Sequence, residues 1–237
     1  MELLSDIHDP GLSPGGITDA KSFPALYRHL RSPSIVVTSP LRRCLQTAVY
    51  AFGEQAKTGT IRIIAHPDLQ EVSNCPCDTG TPLDILRKEF PVVEFPDERF
   101  PHWPRSAEVR VEKRGTIYAD EPNLLYNRAL RIKQWIKCEL DAHEEIVVVT
   151  HGSFAHFLFN DWSGTPGDSW SFGDQLGNAE ARTLTMPGPM LPGAEFGAFA
   201  ADTGPDYLEN SSREDYSLQV CEFGTRDCGV FTDKWLL

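Results

Sequence analysis

Three short apolar runs divide the first two thirds of the chain. Ile35 to Ser39, Ile61 to Ala65 and Ile146 to Val149 are dominated by consecutive β-branched residues. Such runs are typical of strands that are buried on both faces of a parallel sheet. Longer stretches with apolar residues at helical spacing lie before and between them and predict helices. The predicted helices are Gly16 to Leu30, which Pro24 interrupts, Leu41 to Phe52, which follows Pro40, and Asn123 to Ala142.

The alternation of strands and helices predicts an α/β fold with a mostly parallel sheet flanked by helices. The chain shows no internal repeat and no linker that divides it, so we predict a single domain over residues 1–237. Weaker patterns predict a short helix from Pro82 to Phe90, a strand from Ala181 to Met186, and an edge strand from Ser217 to Phe223. Residues 163–213 are rich in Gly and Pro and are predicted to be mostly loop.

Residues 72–120 form a long irregular insertion between the predicted core elements. Insertions of this length in a compact domain are usually functional, so we predict a lid over the site. The lid candidates are Phe100, His102 and Trp103, in an aromatic and proline-rich run. The plainer interpretation is a loosely packed surface loop.

Net charge and cysteine usage exclude several classes of function. The formal net charge of −12 argues against nucleic acid or an anionic membrane as the main partner. The first residues lack the basic and apolar regions of a signal peptide, and no segment approaches a membrane span. The six cysteines are scattered, and Cys75-Pro76-Cys77 lacks the two-residue spacer of a zinc or redox motif. We therefore expect reduced thiols, no metal and a cytosolic location.

Three polar residues, Arg43, Glu71 and His151, each follow one of the predicted strands. Because crossover connections bring such strand ends to one edge of a sheet, we expect these side chains to converge. His151 also precedes a helix, whose free N–H groups favour an anion. In phosphoryl transfer an arginine binds phosphate oxygens, a histidine stabilises the developing charge and a carboxylic acid protonates the leaving alcohol. The plainer alternatives are a surface ion pair, a solvated carboxylate and a core histidine.

Four segments of the chain carry a resemblance to a known family. They are Asp9 to Gly16 (DPGLSPGG), Thr38 to Ala48 (TSPLRRCLQTA), Leu69 to Glu71 (LQE) and Val149 to Gly152 (VTHG). Together they resemble the phosphoglycerate-mutase-like branch of the histidine phosphatase superfamily, especially its fungal members. The resemblance implies that Arg43 binds the transferred phosphate, that Glu71 is the acid/base and that His151 is the second active-site histidine. It further implies phosphate contacts from Ser39, Gly152 and Ser153.

The sequence departs from this family at its beginning. The family's nucleophilic histidine lies in an Arg-His-Gly motif that ends an interior strand beside the strand carrying His151. No such motif occurs here, and only eight residues precede Asp9. Without that strand, buried backbone groups would lose partners at about 1–3 kcal/mol each. We expect the first strand to be missing or replaced: the antiparallel C-terminal strand closes the gap, a second protomer lends a strand in a homodimer, or the true start lies upstream.

These observations leave three functions open. The first is a phosphomonoester hydrolase that acts on a small phosphorylated metabolite. The second is an isomerase, lyase or cyclase of secondary metabolism, in which Arg43 holds the carboxylate of a small anionic molecule while Glu71 or His151 moves protons. The third is a non-catalytic protein that binds a phosphometabolite or a protein partner. None of the three calls for a cofactor.

Overall fold

The computed structural model describes residues 7–26, 33–100, 103, 113–139, 146–160, 180–187 and 215–222. Its helices are α1 (Pro14–Leu26), α2 (Arg42–Lys57), α3 (Leu83–Glu89), α4 (Pro122–Glu139) and α5 (Gly152–Phe159). Its strands are β1 (Ile35–Thr38), β2 (Arg62–Ala65), β3 (Val93–Glu94), β4 (Ile146–Thr150), β5 (Glu180–Pro187) and β6 (Asp215–Glu222). Within this described part of the chain, none of the helices combines the length and apolar character that a bilayer crossing requires.

The described strands form one sheet in the order β3-β2-β1-β4-β6-β5. All neighbouring pairs are parallel except β5 and β6, which are antiparallel. Every residue of β1 and β4 is buried, as the runs of β-branched residues predict for strands covered on both faces. The predicted α/β fold with a mostly parallel sheet flanked by helices is therefore confirmed.

The position of β6 corrects one prediction. The segment from Ser217 to Phe223 was expected at an edge of the sheet, but β6 pairs in parallel with β4 from Ile146 to Thr150 and antiparallel with β5 on its other side. The alternating pattern of a strand reports which of its faces are covered, whereas it contains no information about its two hydrogen-bonding edges. The C-terminal strand therefore lies beside β4, as in one of the three alternatives, but it pairs in the parallel and not the antiparallel direction.

The other side of β4 pairs directly with β1, with Ile35 opposite Ile146 and Thr38 opposite Val149. Both edges of β4 are thus hydrogen-bonded to strands of the same chain. This arrangement leaves no gap beside the strand that carries His151.

The helices agree with their predicted positions to within a few residues. α1 contains Pro24 in its last turn, so the interruption predicted inside this helix falls at its end. α2 begins at Arg42 and runs to Lys57, five residues beyond the predicted end. α3 lacks one residue at each predicted end, and α4 ends at Glu139. Residues 27–30 and 140–142 of the predicted helices lie outside the described residues.

Two hydrophobic clusters cover the two faces of the sheet. One cluster joins Val36 and Val147 to buried residues of α1, α2 and α3, and the other joins Val37 and Val148 to α4 and α5. The alternate placement of neighbouring strand residues in the two clusters follows from the two-residue period of a strand. The helices therefore shield both faces, and the carboxyl edge of the parallel strands is left for the site.

Two of the three lid candidates belong to the first cluster. Phe100 and Trp103 are 0% and 4% exposed, and their rings meet edge to face with centroids 5.7 Å apart. The indole Nε1 of Trp103 donates a hydrogen bond to the carbonyl oxygen of Thr81 at 2.9 Å. Both side chains are therefore part of the hydrophobic core in this structure. His102 lies outside the described residues.

Candidate active site

The direct pairing of β1 with β4 brings Ser39 to His151. The backbone N–H of Ser39 donates to the carbonyl oxygen of Val149, which continues the ladder by one residue. The Ser39 hydroxyl then lies 2.8 Å from Nε2 of His151. Ser39, predicted to contact phosphate, is thus a hydrogen-bond partner of the histidine. Both residues lie at the carboxyl edge of the sheet, where the predicted site was expected.

The segment that includes Asp9 fixes the start of α2. The Asp9 carboxylate accepts the backbone N–H of Arg42 at 2.9 Å and the Thr81 hydroxyl at 2.7 Å. A second contact joins this segment to α2, because the N–H of Leu12 donates to Oε1 of Gln46 at 2.6 Å. An acceptor at a helix N-terminus satisfies a backbone donor that has no partner within the helix. These contacts set the position of the first turn of α2, which carries Arg43.

Arg43 is buried and points to the loop after Glu71. Its Nη1 donates to the carbonyl oxygen of Cys77 at 2.7 Å, and its Nη2 donates to Oδ1 of Asp78 at 2.9 Å. The side chain is 4% exposed, so the interpretation as a surface ion pair is excluded. The sequence did not indicate Asp78 as a partner of Arg43, because it lies in an irregular segment without periodicity.

Glu71 caps the N-terminus of α5. Its Oε1 accepts the N–H groups of Val72 at 2.8 Å and Phe154 at 3.1 Å, and its Oε2 lies 3.4 Å from the N–H of Ser153. The helix N-terminus was expected to hold an anion, and in this structure its N–H groups contact the side-chain oxygens of Glu71. Ser153 therefore contacts Glu71 through its backbone, and Gly152 is buried in the first turn of the same helix.

The pKa of Glu71 is raised from its usual value. Burial is the largest cause, the neighbouring Asp78 carboxylate adds to it, and Arg43 and Lys113 oppose it. A carboxyl group that keeps its proton at higher pH is suited to act as a general acid. The electrostatics of this group thus agree with the role that the sequence predicts.

His151 is buried and lies between α2 and the start of α5. Sγ of Cys44 lies 3.4 Å from Nε2 and 3.7 Å from Nδ1 of the ring. Burial holds the pKa of His151 well below its usual value, and the charges of Arg43, Lys113 and Arg128 lower it further. The imidazole is therefore neutral at physiological pH and can donate one hydrogen bond.

Two further cations, Lys113 and Arg128, were not predicted. Nζ of Lys113 donates to the carbonyl oxygens of Glu71 at 2.6 Å and Ser73 at 2.9 Å. Nη2 of Arg128 donates to the carbonyl oxygen of Gln70 at 2.8 Å. Arg128 had a sequence signal, because it falls on the apolar stripe of α4 where a charge is out of place. Lys113 lies in the irregular insertion and had none.

These groups form one electrostatic cluster, made up of Arg43, Lys113, Arg128, Glu71 and Asp78. Its three cations and two carboxylic acids leave one surplus positive charge when Glu71 is ionised and two when it is protonated. A surplus of positive charge favours the binding of an oxyanion such as phosphate. Burial lowers the pKa of Lys113 to about 7, so the surplus is complete only at neutral or lower pH.

The three predicted site residues are therefore brought together. The charge of Arg43 acts on both Glu71 and His151, and Glu71 binds the two backbone N–H groups that follow Gly152. Among the described residues, no group of three or more His, Cys, Asp or Glu side chains is placed to hold a metal ion. The arrangement can bind an oxyanion and supply a proton.

A comparison with protein-family models places the chain in a family. Residues 2–188 match the model described as the histidine phosphatase superfamily, branch 1. The chain belongs to the histidine phosphatase superfamily. A comparison with curated proteins gave no significant match.

Solved structures similar to this histidine phosphatase superfamily member include one from Mycobacterium tuberculosis and two from mycobacteria. The first, the open reading frame Rv3214, is 22% identical, with a TM-score of 0.38, and the match covers 66% of this chain and 68% of that one. Mycobacterial glucosyl-3-phosphoglycerate phosphatase Rv2419c in complex with inorganic phosphate is 18% identical, with a TM-score of 0.40. The match covers 72% of this chain and 78% of that one. The native structure of the same phosphatase is 16% identical, with a TM-score of 0.41. The match covers 76% of this chain and 81% of that one.

Proposed function

We propose that this protein is a phosphomonoester hydrolase that acts on a small phosphorylated metabolite. The observation that carries the proposal is the buried cluster in which Arg43, Glu71 and His151 meet with a surplus of positive charge. Membership of the histidine phosphatase superfamily supports the same conclusion. The net charge of −12 favours a small substrate over a polyanion such as nucleic acid.

Each of the three residues has a role in the proposed reaction. Arg43 binds the phosphoryl oxygens through its planar guanidinium group, and neutral His151 donates a hydrogen bond to them. Glu71 gives its proton to the leaving oxygen as the ester P–O bond breaks. The net reaction consumes one water molecule, of which one proton restores Glu71 and the other stays with the inorganic phosphate. No redox step or cofactor enters this balance.

A phosphate-release assay with p-nitrophenyl phosphate tests the proposal. We expect turnover by the full chain and a loss of about 10²–10³-fold in kcat/KM for Arg43→Ala, because the charge-assisted contacts to the phosphoryl group are removed. Arg62→Ala is the matched control, since Arg62 forms an exposed pair with Glu94 across strands β2 and β3. Its activity should equal that of the wild type. Absence of phosphate release, or equal rates for the wild type and Arg43→Ala, would exclude the hydrolase.

One observation favours a second function. Arg43 binds a carboxylate, that of Asp78, in this structure. A guanidinium in such surroundings is also suited to the carboxylate of a substrate in an isomerase, lyase or cyclase. This second function predicts that small carboxylates raise the melting temperature while no phosphate is released from any monoester.

A further inference from the structure

Asp78 has a position in the site that the reaction described above does not use. The carboxylate is almost fully buried, at 8% exposed, and one of its oxygens accepts Nη2 of Arg43 at 2.9 Å. The other oxygen, Oδ2, accepts the hydroxyl of Ser73 at 2.5 Å. A buried carboxylate is stable only where its oxygens have such partners. Asp78 therefore has one oxygen on the phosphate-binding arginine and the other on the loop that follows Glu71.

The contacts continue from this loop to the acid. The carbonyl oxygens of Ser73 and Glu71 are both bound by Nζ of Lys113. The Glu71 side chain is in turn held by backbone N–H groups at the start of α5. Arg43 is thus connected through Asp78, Ser73 and Lys113 to the backbone carbonyl of Glu71, the residue that carries the acid.

The charge of Asp78 acts on both titrating groups in the direction that the reaction needs. After burial it is the largest cause that raises the pKa of Glu71, and it opposes the burial that lowers the pKa of Lys113. The other charged groups that act on Glu71 are Arg43, Lys113 and Arg128, and all of these are cations that favour its ionised form. Asp78 is therefore the one carboxylate in this cluster that offsets them.

We propose that Asp78 is a positioning residue of the hydrolase, which holds the phosphate-binding arginine and connects it to the loop of the acid. The inference rests on the proposed function. Asp78 does not touch the reacting atoms. It acts through Arg43, whose orientation it sets, and through Glu71, whose proton it retains until the leaving group takes it.

The test is the pH profile of kcat/KM for p-nitrophenyl phosphate with the wild type and Asp78→Asn. Asparagine keeps an oxygen for Arg43 but removes the charge, so Glu71 and Lys113 both lose their protons at lower pH. We expect the apparent pKa of the basic limb to fall by about one unit. At pH values above this pKa, kcat/KM is then about tenfold lower than in the wild type. A loss of packing alone would lower the rate at every pH and leave the limb in place.

Two variants complete the design. Asp97→Asn is the matched control, because Asp97 pairs with Arg87 at an exposed position and its profile should match the wild type. Asp78→Glu keeps the charge but displaces the oxygen, so we expect the wild-type limb with a lower kcat, and this variant decides the question if Asp78→Asn does not fold. This inference is overturned if the apparent pKa of the basic limb changes in Asp78→Glu, or if it equals the wild-type value in a folded Asp78→Asn. In either case the proposed hydrolase activity is unaffected. No phosphate release by the wild type overturns both.

Discussion

His66, directly after β2, is a buried histidine whose neutral form is required by its contacts. Its Nδ1 accepts the backbone N–H of Asp68 at 3.2 Å, and its ring lies 4.9 Å from that of Trp135. A protonated imidazole has no acceptor, so the first contact is lost on protonation. Burial accordingly lowers the pKa of His66 to about 4 from the ordinary 6.5.

The sign of the resulting pH dependence follows from linkage. The folded-state pKa is depressed, so the stability gained from neutral His66 is complete above pH 6.5 and is lost as the pH falls through about 4. We expect His66 to contribute a decline of about 3 kcal/mol in the free energy of unfolding over this window. His151, whose pKa is lowered for the same reason, adds to the decline.

Urea unfolding of His66→Asn at pH 7 and pH 4.5 measures this contribution. Asparagine retains a short acceptor for the Asp68 N–H and does not titrate, but it loses the ring contact with Trp135. The variant should be about 1 kcal/mol less stable at pH 7 and should lose less stability at pH 4.5 than the wild type does. His8→Asn, at an exposed position, should decline as the wild type does. An equal decline in His66→Asn would show that another group causes it.

At the residue scale, the sequence indicated candidate site residues that lie within a few positions of the ends of strands. Arg43, Glu71 and His151 could be found because strand ends of a parallel sheet share an edge. Asp78 and Lys113 could not, since an irregular segment has no period from which burial can be inferred. From sequence alone, a charged residue in such a segment is interpreted as solvent-exposed, and only the fold shows that it is buried.

At the scale of elements, the loop between Asp78 and α3 depends on one glycine. A Cβ at Gly80 would lie 2.3 Å from Cζ2 and 2.6 Å from Cη2 of the Trp103 ring. The ring belongs to the buried core and is fixed by its hydrogen bond to the Thr81 carbonyl, so it has no room to move. Only glycine allows the loop to pass this close to the indole.

Gly80→Ala should therefore destabilise the protein by about 1–3 kcal/mol, the usual range for overpacking in a core. Thermal unfolding by circular dichroism measures the effect. Gly15→Ala is the matched control, because Gly15 lies in α1 with its nearest neighbour atom 3.8 Å from the added Cβ. It should be neutral or slightly stabilising. A melting temperature of Gly80→Ala equal to that of the wild type would mean that Trp103 does not pack on this loop.

The helices could be predicted from sequence with errors of a few residues, because apolar spacing records the buried face of an amphipathic helix. The aromatic run near Phe100 could not be interpreted in the same way. Its prolines indicate a loop, and a loop that packs into the core has the same composition as one that covers a ligand. The structure places Phe100 and Trp103 in the first core cluster, which the composition of this run did not indicate.

At the scale of the whole molecule, the sequence specified the fold class but not the order of the strands. Runs of β-branched residues in β1 and β4 indicate burial on both faces, and this much was correct. The neighbours of each strand depend on its hydrogen-bonding edges, and the pattern of apolar residues contains no information about these edges. For this reason β6 was predicted at the edge of the sheet, although it lies between β4 and β5.

Consecutive proline substitutions distinguish an interior β6 from an edge strand. Successive N–H groups of a strand point to opposite sides, so an edge strand tolerates proline at one of two neighbouring positions and an interior strand at neither. Gln219 and Val220 each have partners in both β4 and β5. Gln219→Pro and Val220→Pro should therefore both destabilise the protein, by at least about 1–3 kcal/mol for the acceptor left without its donor.

Urea unfolding compares these two variants with two sets of controls. Gln219→Ala and Val220→Ala retain the N–H, so each should lose less stability than the proline variant at the same position. In β5, the last strand of the sheet among the described residues, one of Thr183→Pro and Leu184→Pro should be tolerated and the other should not. If one of the two β6 prolines were tolerated as well, β6 would have a free edge and could not lie between β4 and β5.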